Sequence, residues 1–237
     1  MKSNILKLLV LLLISFEISA QTYKHTTLWS RFAIQKPVKN WNFRLEMDIR
    51  QQNDFQKSKI NPLQKPSLRW LRLNTNYTTG KFTHALILPQ YSILYPIIGK
   101  KEDLIRPKSY EWRYTFNEEF ILPIKKLNSA IRLGYEFRNI TTEGVARNTG
   151  RTRIRLAETY HATERSSVNM SFELLYNSGP NKAANTFNSR QLAFRYLHKF
   201  GKNINFTTGI NHNYRKRNSL IEYDSENAIL CNFIIDI

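Results

Sequence analysis

The sequence predicts an all-β protein, a single antiparallel transmembrane β-barrel of about ten to twelve strands with short periplasmic turns and longer extracellular loops. Three observations predict it. Segment after segment alternates apolar with polar residues, as in Trp41, Phe43, Leu45, Met47 and Ile49 with Arg44, Glu46, Asp48 and Arg50 beside them. An export leader precedes these segments, and the connections between them alternate short with long. Successive strand side chains point to opposite faces, so each segment carries one apolar and one charged face, about a membrane thickness long. Repeated around a closed ring, that pattern is an outer-membrane barrel.

The leader is read from Met1 to Ala20. A short basic stretch up to Lys7 is followed by an apolar run from Leu8 to Phe16, and Ile18-Ser19-Ala20 suits cleavage before Gln21. A spanning helix needs about twenty apolar residues; this run is shorter and reads as a signal peptide, removed near Ala20 after Sec export. Residues 21–237 then form one outer-membrane barrel domain, with no Pro/Gly/Ser-rich linker to divide them. No cysteine near the cleavage point suits a lipid anchor, and Cys231, alone in the chain, makes no intrachain disulfide. The formal charge is +18, and losing Lys2, Lys7 and Glu17 with the leader lowers it by one. In a soluble protein such basicity would suggest nucleic acid. An exported chain with arginines at strand spacing points away from nucleic acid and toward anionic lipid headgroups or small anionic solutes.

The later segments keep the same alternation. Leu71, Leu73, Thr75 and Tyr77 share a face, and a strand from Phe82 to about Leu94 follows Gly80. Tyr110, Trp112, Tyr114 and Phe116 alternate with Glu111, Arg113 and Thr115. Ile131, Leu133, Tyr135 and Phe137 alternate with Arg132, Glu136 and Arg138. Ile154, Leu156 and Tyr160 face away from Arg151, Arg153 and Arg155. Further apolar faces are Val168 to Tyr176, Leu192 to Tyr196, Ile204 to Ile210 and Cys231 to Ile237, each at every second residue. Helical spacings of three and four are missing.

Short connections are expected near residues 36–40, 79–81, 123–127, 161–165 and 200–202, and long ones near 53–65, 96–108, 141–148, 178–187 and 216–224. The count is odd. Eleven segments alternate, whereas such barrels normally have an even number with both ends periplasmic. The last segment ends on the correct side, but residues 26–36 run the wrong way. Ten strands, with that segment outside the wall, or twelve, with one merged or missed, would close the ring. The chain ends on Ile237 rather than an aromatic residue, although Phe233 gives the final strand one.

Arginine on the polar face is the strongest chemical signal. With a tight turn at 123–127, Glu111 is expected opposite Arg138, and Arg113 opposite Glu136. Across the next hairpin Arg138 would face Arg151, and Glu136 would face Arg153; Arg155 would then face Glu173. Arg113, Arg132, Arg138, Arg151, Arg153 and Arg155, with Glu111, Glu136 and Glu173, are therefore expected to line the lumen. They could form a rigidifying salt-bridge network, since opposed cross-strand charges attract. They could also leave guanidinium groups, Arg151 first among them, free to hold carboxylates or phosphates in an anion-preferring pore.

Catalysis and cofactors are not expected. The histidines are scattered singly; His161 near Glu158 and Ser166, and His212 approaching Asp224, are the only rim constellations worth weighing. No cluster has metal-ligand spacing, and no glycine loop suits a phosphate. Trp29, Trp41, Trp70 and Trp112 are read as interfacial girdle residues, and Arg215-Lys216-Arg217 as a loop meeting anionic headgroups.

Trp29, the Leu45-Glu46-Met47-Asp48-Ile49-Arg50 segment, Gly134 to Arg138, Arg151 to Leu156 and Phe172 to Asn177 resemble an uncharacterised family of Bacteroidota outer-membrane proteins, the domain of unknown function DUF2490. The resemblance spans essentially the whole mature chain. It implies an outer-membrane barrel that meets the barrel-assembly machinery, and it carries no activity or functional residue. The expected function is thus a small Arg-lined passive channel or a plugged structural barrel in a Gram-negative outer membrane. The alternative is a barrel hydrolase acting at the outer rim on lipid or peptide. A secreted soluble β-protein, the third reading, would need to stay soluble without detergent.

Overall fold

The computed structural model describes residues 21–237 apart from 125, 179–186, 218 and 220. The expected leader, residues 1–20, and most of the connection at 178–187 lie outside the described residues. Eleven strands form one closed barrel: β1 (Thr22–Val38), β2 (Trp41–Gln52), β3 (Lys65–Thr79), β4 (Phe82–Leu94), β5 (Ser109–Ile124), β6 (Leu127–Thr142), β7 (Val145–His161), β8 (Ser166–Ser178), β9 (Phe187–Phe200), β10 (Ile204–Lys216) and β11 (Tyr223–Asp236). Sequence neighbours pair antiparallel all round the ring.

The ring closes with a parallel seam. β1 runs alongside β11 from Thr22 opposite Tyr223 to Gln35 opposite Asp236, and it also pairs antiparallel with β2. The first segment is therefore a full wall strand: the ring closes with eleven strands, within the expected ten to twelve, and departs from the antiparallel expectation at the β1–β11 pair. In a ring of strands alternating in direction, an odd number must leave one neighbouring pair parallel. The first strand begins at the long-loop end, and the last finishes at the short-turn end.

The outward faces are those the alternation predicts. Leu45, Leu71, Leu133, Ile210 and Ile229 are exposed on the outer surface. Aromatic rings gather at both rims. At the short-turn rim, Trp41 lies 4.7 Å from Tyr77, Phe82 lies 5.2 Å from Phe120 and Phe206 lies 4.9 Å from Phe233. At the long-loop rim, Tyr91 lies 5.0 Å from Trp112 and Tyr214 lies 4.8 Å from Tyr223. Two of the four tryptophans depart from the girdle reading: Trp29 and Trp70 are buried on the inner face.

Local chemistry fixes two irregularities. Against β5, strand β4 skips from Ile87 to Gln90. The skipped pair includes Pro89, which has no N–H for a ladder bond, so a bulge suits it. Residues 141–148 are not a long loop. β6 and β7 remain paired to Thr142 and Val145, joined by Glu143 and Gly144 with φ of 49° and 81°. Two successive left-handed residues make the hairpin turn whose twist matches the flanking strands.

The charged rows are displaced on both sides of β6. Arg113 lies opposite Arg138 and Thr115 opposite Glu136, while Glu136 lies opposite Arg151 and Gly134 opposite Arg153. The expected registers on both sides of β6 are thus displaced by two residues, a shift that preserves every face. Arg155 does lie opposite Glu173.

Candidate functional site: an arginine-lined lumen

All of the singled-out arginines and glutamates project inward, because each occupies the polar phase of its strand. Glu111 and Glu136 are fully buried and act as the two hubs of the β5–β8 wall. Glu111 accepts hydrogen bonds from Arg113 Nε and Arg138 Nε, both at 2.7 Å. Glu136 accepts from Arg151 Nε and Arg153 Nη1, also at 2.7 Å, with Arg113 Nη1 at 3.6 Å. Arg153 continues to Glu173, where Nη2 donates to Oε1 at 2.7 Å. Glu119, which the sequence reading passed over, accepts from Arg132 Nε at 2.8 Å and Arg155 Nη2 at 2.7 Å.

The displaced register changes who is spare. Arg151, expected to face Arg138 without a carboxylate, is held by Glu136. Arg155 faces Glu173 on β8 but bonds Glu119 two strands away on β5, because Glu119, Arg132 and Arg155 form one row across β6 and a long guanidinium stem spans it.

A second cluster covers β1–β3. The buried Glu46 accepts from Arg72 Nη2 at 2.7 Å and stands 3.6 Å from both Arg31 and Arg44. Asp48 accepts from Arg50 Nε at 2.8 Å. Two inner tryptophans carry cations on their faces: Arg50 lies 3.6 Å from the Trp29 centroid, and Arg72 lies 4.3 Å from that of Trp70. A guanidinium is attracted by an aromatic face, which gives these indoles a role that the girdle reading missed.

The wall of β9 and β10, with Ser171 beside it on β8, is different. Ser171, Ser189, Gln191, Ala193, Asn211 and Asn213 point inward there, with Arg195 among them. Arg195 Nη1 donates to Asn169 Oδ1 and Ser171 Oγ, both at 3.0 Å, and no carboxylate pairs with it among the described residues. The walls enclose a cavity of about 660 Å³.

The connection between β4 and β5 folds into the long-loop mouth. Ile98 is buried, and its N–H donates to Gln52 Oε1 at 3.2 Å. A short 3-10 turn at Lys101–Ile105 places Asp103, 1 % exposed, where it accepts the N–H groups of Gly99 at 2.9 Å and Lys100 at 3.0 Å. Arg217 Nη1 donates to the same carboxylate at 3.0 Å. Burial pushes the Asp103 carboxyl upward, but those N–H groups and the Arg217 guanidinium outweigh it and hold it below the usual carboxylate range. Arg217 also donates to Asp224 at 2.7 Å, which contacts the buried His25 at 2.9 Å. The expected headgroup loop is therefore corrected: Arg217 is buried as a latch, and Arg215 bonds Glu226 at 3.1 Å. Nor does His212 approach Asp224. It faces outward and bonds Asn227 at 2.9 Å, because residues 212 and 224 fall on opposite faces of paired strands. His161 bonds Asn128 at 2.9 Å, and Glu158 accepts from Ser129. Among the described residues, no group of His, Cys, Asp and Glu is arranged to hold a metal ion.

No protein-family model and no curated protein matches the chain. Solved structures do. A NanC porin is 14% identical over 86% of this chain and 93% of its own, with a TM-score of 0.48. The outer-membrane expressed OmpT of Vibrio cholerae is 9% identical over 79% of this chain, with a TM-score of 0.38. An anion-selective porin from Comamonas acidovorans is 9% identical over 82% of this chain, with a TM-score of 0.36. The chain spans 60% and 52% of the length of the latter two. What these proteins share with it is a general likeness of strand barrels, too distant to carry a residue or an activity across.

Proposed function

We propose that the protein is a Gram-negative outer-membrane barrel whose lumen admits small anionic solutes, and that it works as a narrow, non-catalytic channel. The exposed apolar surface between two aromatic rims supports the location: lipid would cover it, whereas water would face an apolar patch far larger than soluble proteins carry. The family resemblance implies the same location, with export by the leader and folding by the assembly machinery. Eleven strands enclose little space once long side chains fill it, and the inward β4–β5 connection narrows it further, so the path suits small solutes.

The carrying observation is Arg195, a lumen guanidinium whose hydrogen-bond partners are neutral and which makes no ion pair with a carboxylate among the described residues. Elsewhere one carboxylate serves several arginines, as Glu46 does for Arg31, Arg44 and Arg72. The inner surface is therefore electropositive, and guanidinium charge in excess of carboxylate charge favours anions. The test is single-channel conductance of detergent-purified protein in a planar bilayer under a potassium chloride gradient. Discrete steps with a reversal potential shifted toward chloride are expected, and insertion without conductance would overturn the reading.

A further inference from the structure

Arg195 stands at the edge of a recess. Ser171 lies opposite Ala193, Ala193 opposite Asn211 and Asn211 opposite Ala228, so this hoop of the wall is built from small side chains. Directly across from Arg195 is Gly209, which sends no side chain inward. A Cβ there would collide with the backbone of Phe194 and Arg195. The two backbones approach too closely for any side chain at 209, so beside Arg195 the inner face carries no side chain from β10.

The recess also holds an amide with nothing to bond. Asn211 is 1 % exposed, lines the lumen cavity, and has no hydrogen-bond partner for either Oδ1 or Nδ2. Buried amides normally satisfy both groups, and a native exception asks for an absent partner. Asn211 sits diagonally from Arg195 on the same inner face, a separation of roughly 7 Å between such neighbours. Three like charges, from Arg155, Arg31 and Arg132, reach Arg195 against one opposing charge, that of Glu173, while its hydrogen bonds within the wall go to the neutral Asn169 and Ser171.

We propose that Arg195 and Asn211 form a binding site for small hydroxylated carboxylates. The carboxylate would take the free side of the Arg195 guanidinium as a charge-assisted pair. A hydroxyl two or three carbons away can both donate and accept, which is what the Asn211 amide lacks. The proposal rests on the reading of the lumen as open to anionic solutes, and it adds which anions are held: those with a hydroxyl beside the charge, ahead of plain carboxylates and neutral sugars.

Isothermal titration calorimetry on the full detergent-solubilised protein tests it, with gluconate, acetate and glucose as probes. Gluconate should bind on the order of tenfold more tightly than acetate, the worth of one satisfied polar pair, and glucose should give no measurable heat. Arg195→Gln should weaken gluconate on the order of tenfold or more. Asn211→Ala should remove the preference for gluconate while leaving acetate unchanged, which a merely structural residue would not do. Equal binding of gluconate and acetate, or an unaltered Arg195→Gln, overturns the proposal. Should Arg195→Gln fail to fold, the Asn211→Ala comparison decides alone. Calorimetry needs no conduction, so the two readings fail separately: anion-shifted current without gluconate preference removes the site and leaves the channel, and gluconate binding without current does the reverse.

Discussion

The β5–β8 wall and the β9–β10 wall line one lumen with the same cation in different surroundings. On β5–β8, Glu111 and Glu136 each hold two arginines by hydrogen bonds at 2.7 Å. On β9–β10, Arg195 has amide and hydroxyl partners alone. The difference separates two uses of arginine. Where carboxylates are buried as hubs, the network fixes side chains across strands; where none is present, positive charge remains for a solute. Position on the polar face is common to both, and the neighbours decide.

The largest effect should come from breaking a hub. Glu136→Gln would leave Arg113, Arg151 and Arg153 crowded without their shared charge, and removing one partner of a buried ionic group costs about 3–5 kcal/mol. Urea unfolding in detergent micelles, followed by tryptophan fluorescence, should show that loss. A change below about 1 kcal/mol would mean that the hub is solvated and carries little.

Next in size is a charge placed outside. Leu133, in the middle of β6 and 56 % exposed, should tolerate arginine poorly if lipid covers it, by about 2–4 kcal/mol. A soluble barrel would accept Leu133→Arg with little change, and refolding into vesicles separates the two cases.

The latch at the mouth gives a smaller, pH-dependent effect. The folded Asp103 carboxyl sits below its ordinary value of about 3.9. Its contribution is therefore complete above that value and is lost as pH falls through the lower folded one. Acidification below about pH 4 should loosen the β4–β5 connection and raise conductance or open-channel noise, and Asp103→Asn should do so at neutral pH. An Asp103→Asn current indistinguishable from the parent would show that this loop does not restrict the path. Least costly to stability should be Arg195→Gln, which orphans no carboxylate: within about 1 kcal/mol in the same urea assay, but with reduced chloride preference.

Much of this comparison is legible in the sequence, because a strand has a period of two. Each alternating segment declares its inner face, and displacing β6 by two residues against both neighbours leaves Arg138, Glu136 and Arg132 inside. What alternation cannot give is which carboxylate a long side chain reaches. That is why alternation leaves Arg151 free and does not single out Arg195, although Leu192, Phe194 and Tyr196 place Arg195 inward. The missing clue was the lack of any acid among Ser189, Gln191, Ala193 and Arg195 themselves. Glu143-Gly144 is a hairpin signal of the Asp-Gly kind, obscured by the polar residues around it. Residue type and proximity to strand ends suggest the girdle for Trp29 and Trp70, whereas their phase points inward. The parallel seam depends on how the two ends of the chain meet, a contact that no local pattern encodes.

The central claim is that guanidinium groups outnumber carboxylates along an accessible lumen. The reversal potential of the parent protein beside Arg195→Gln, in a planar bilayer under a tenfold potassium chloride gradient, tests it most directly. A chloride-ward shift in the parent that shrinks in Arg195→Gln is the predicted result; a potassium-ward shift, or one identical in both proteins, would contradict it.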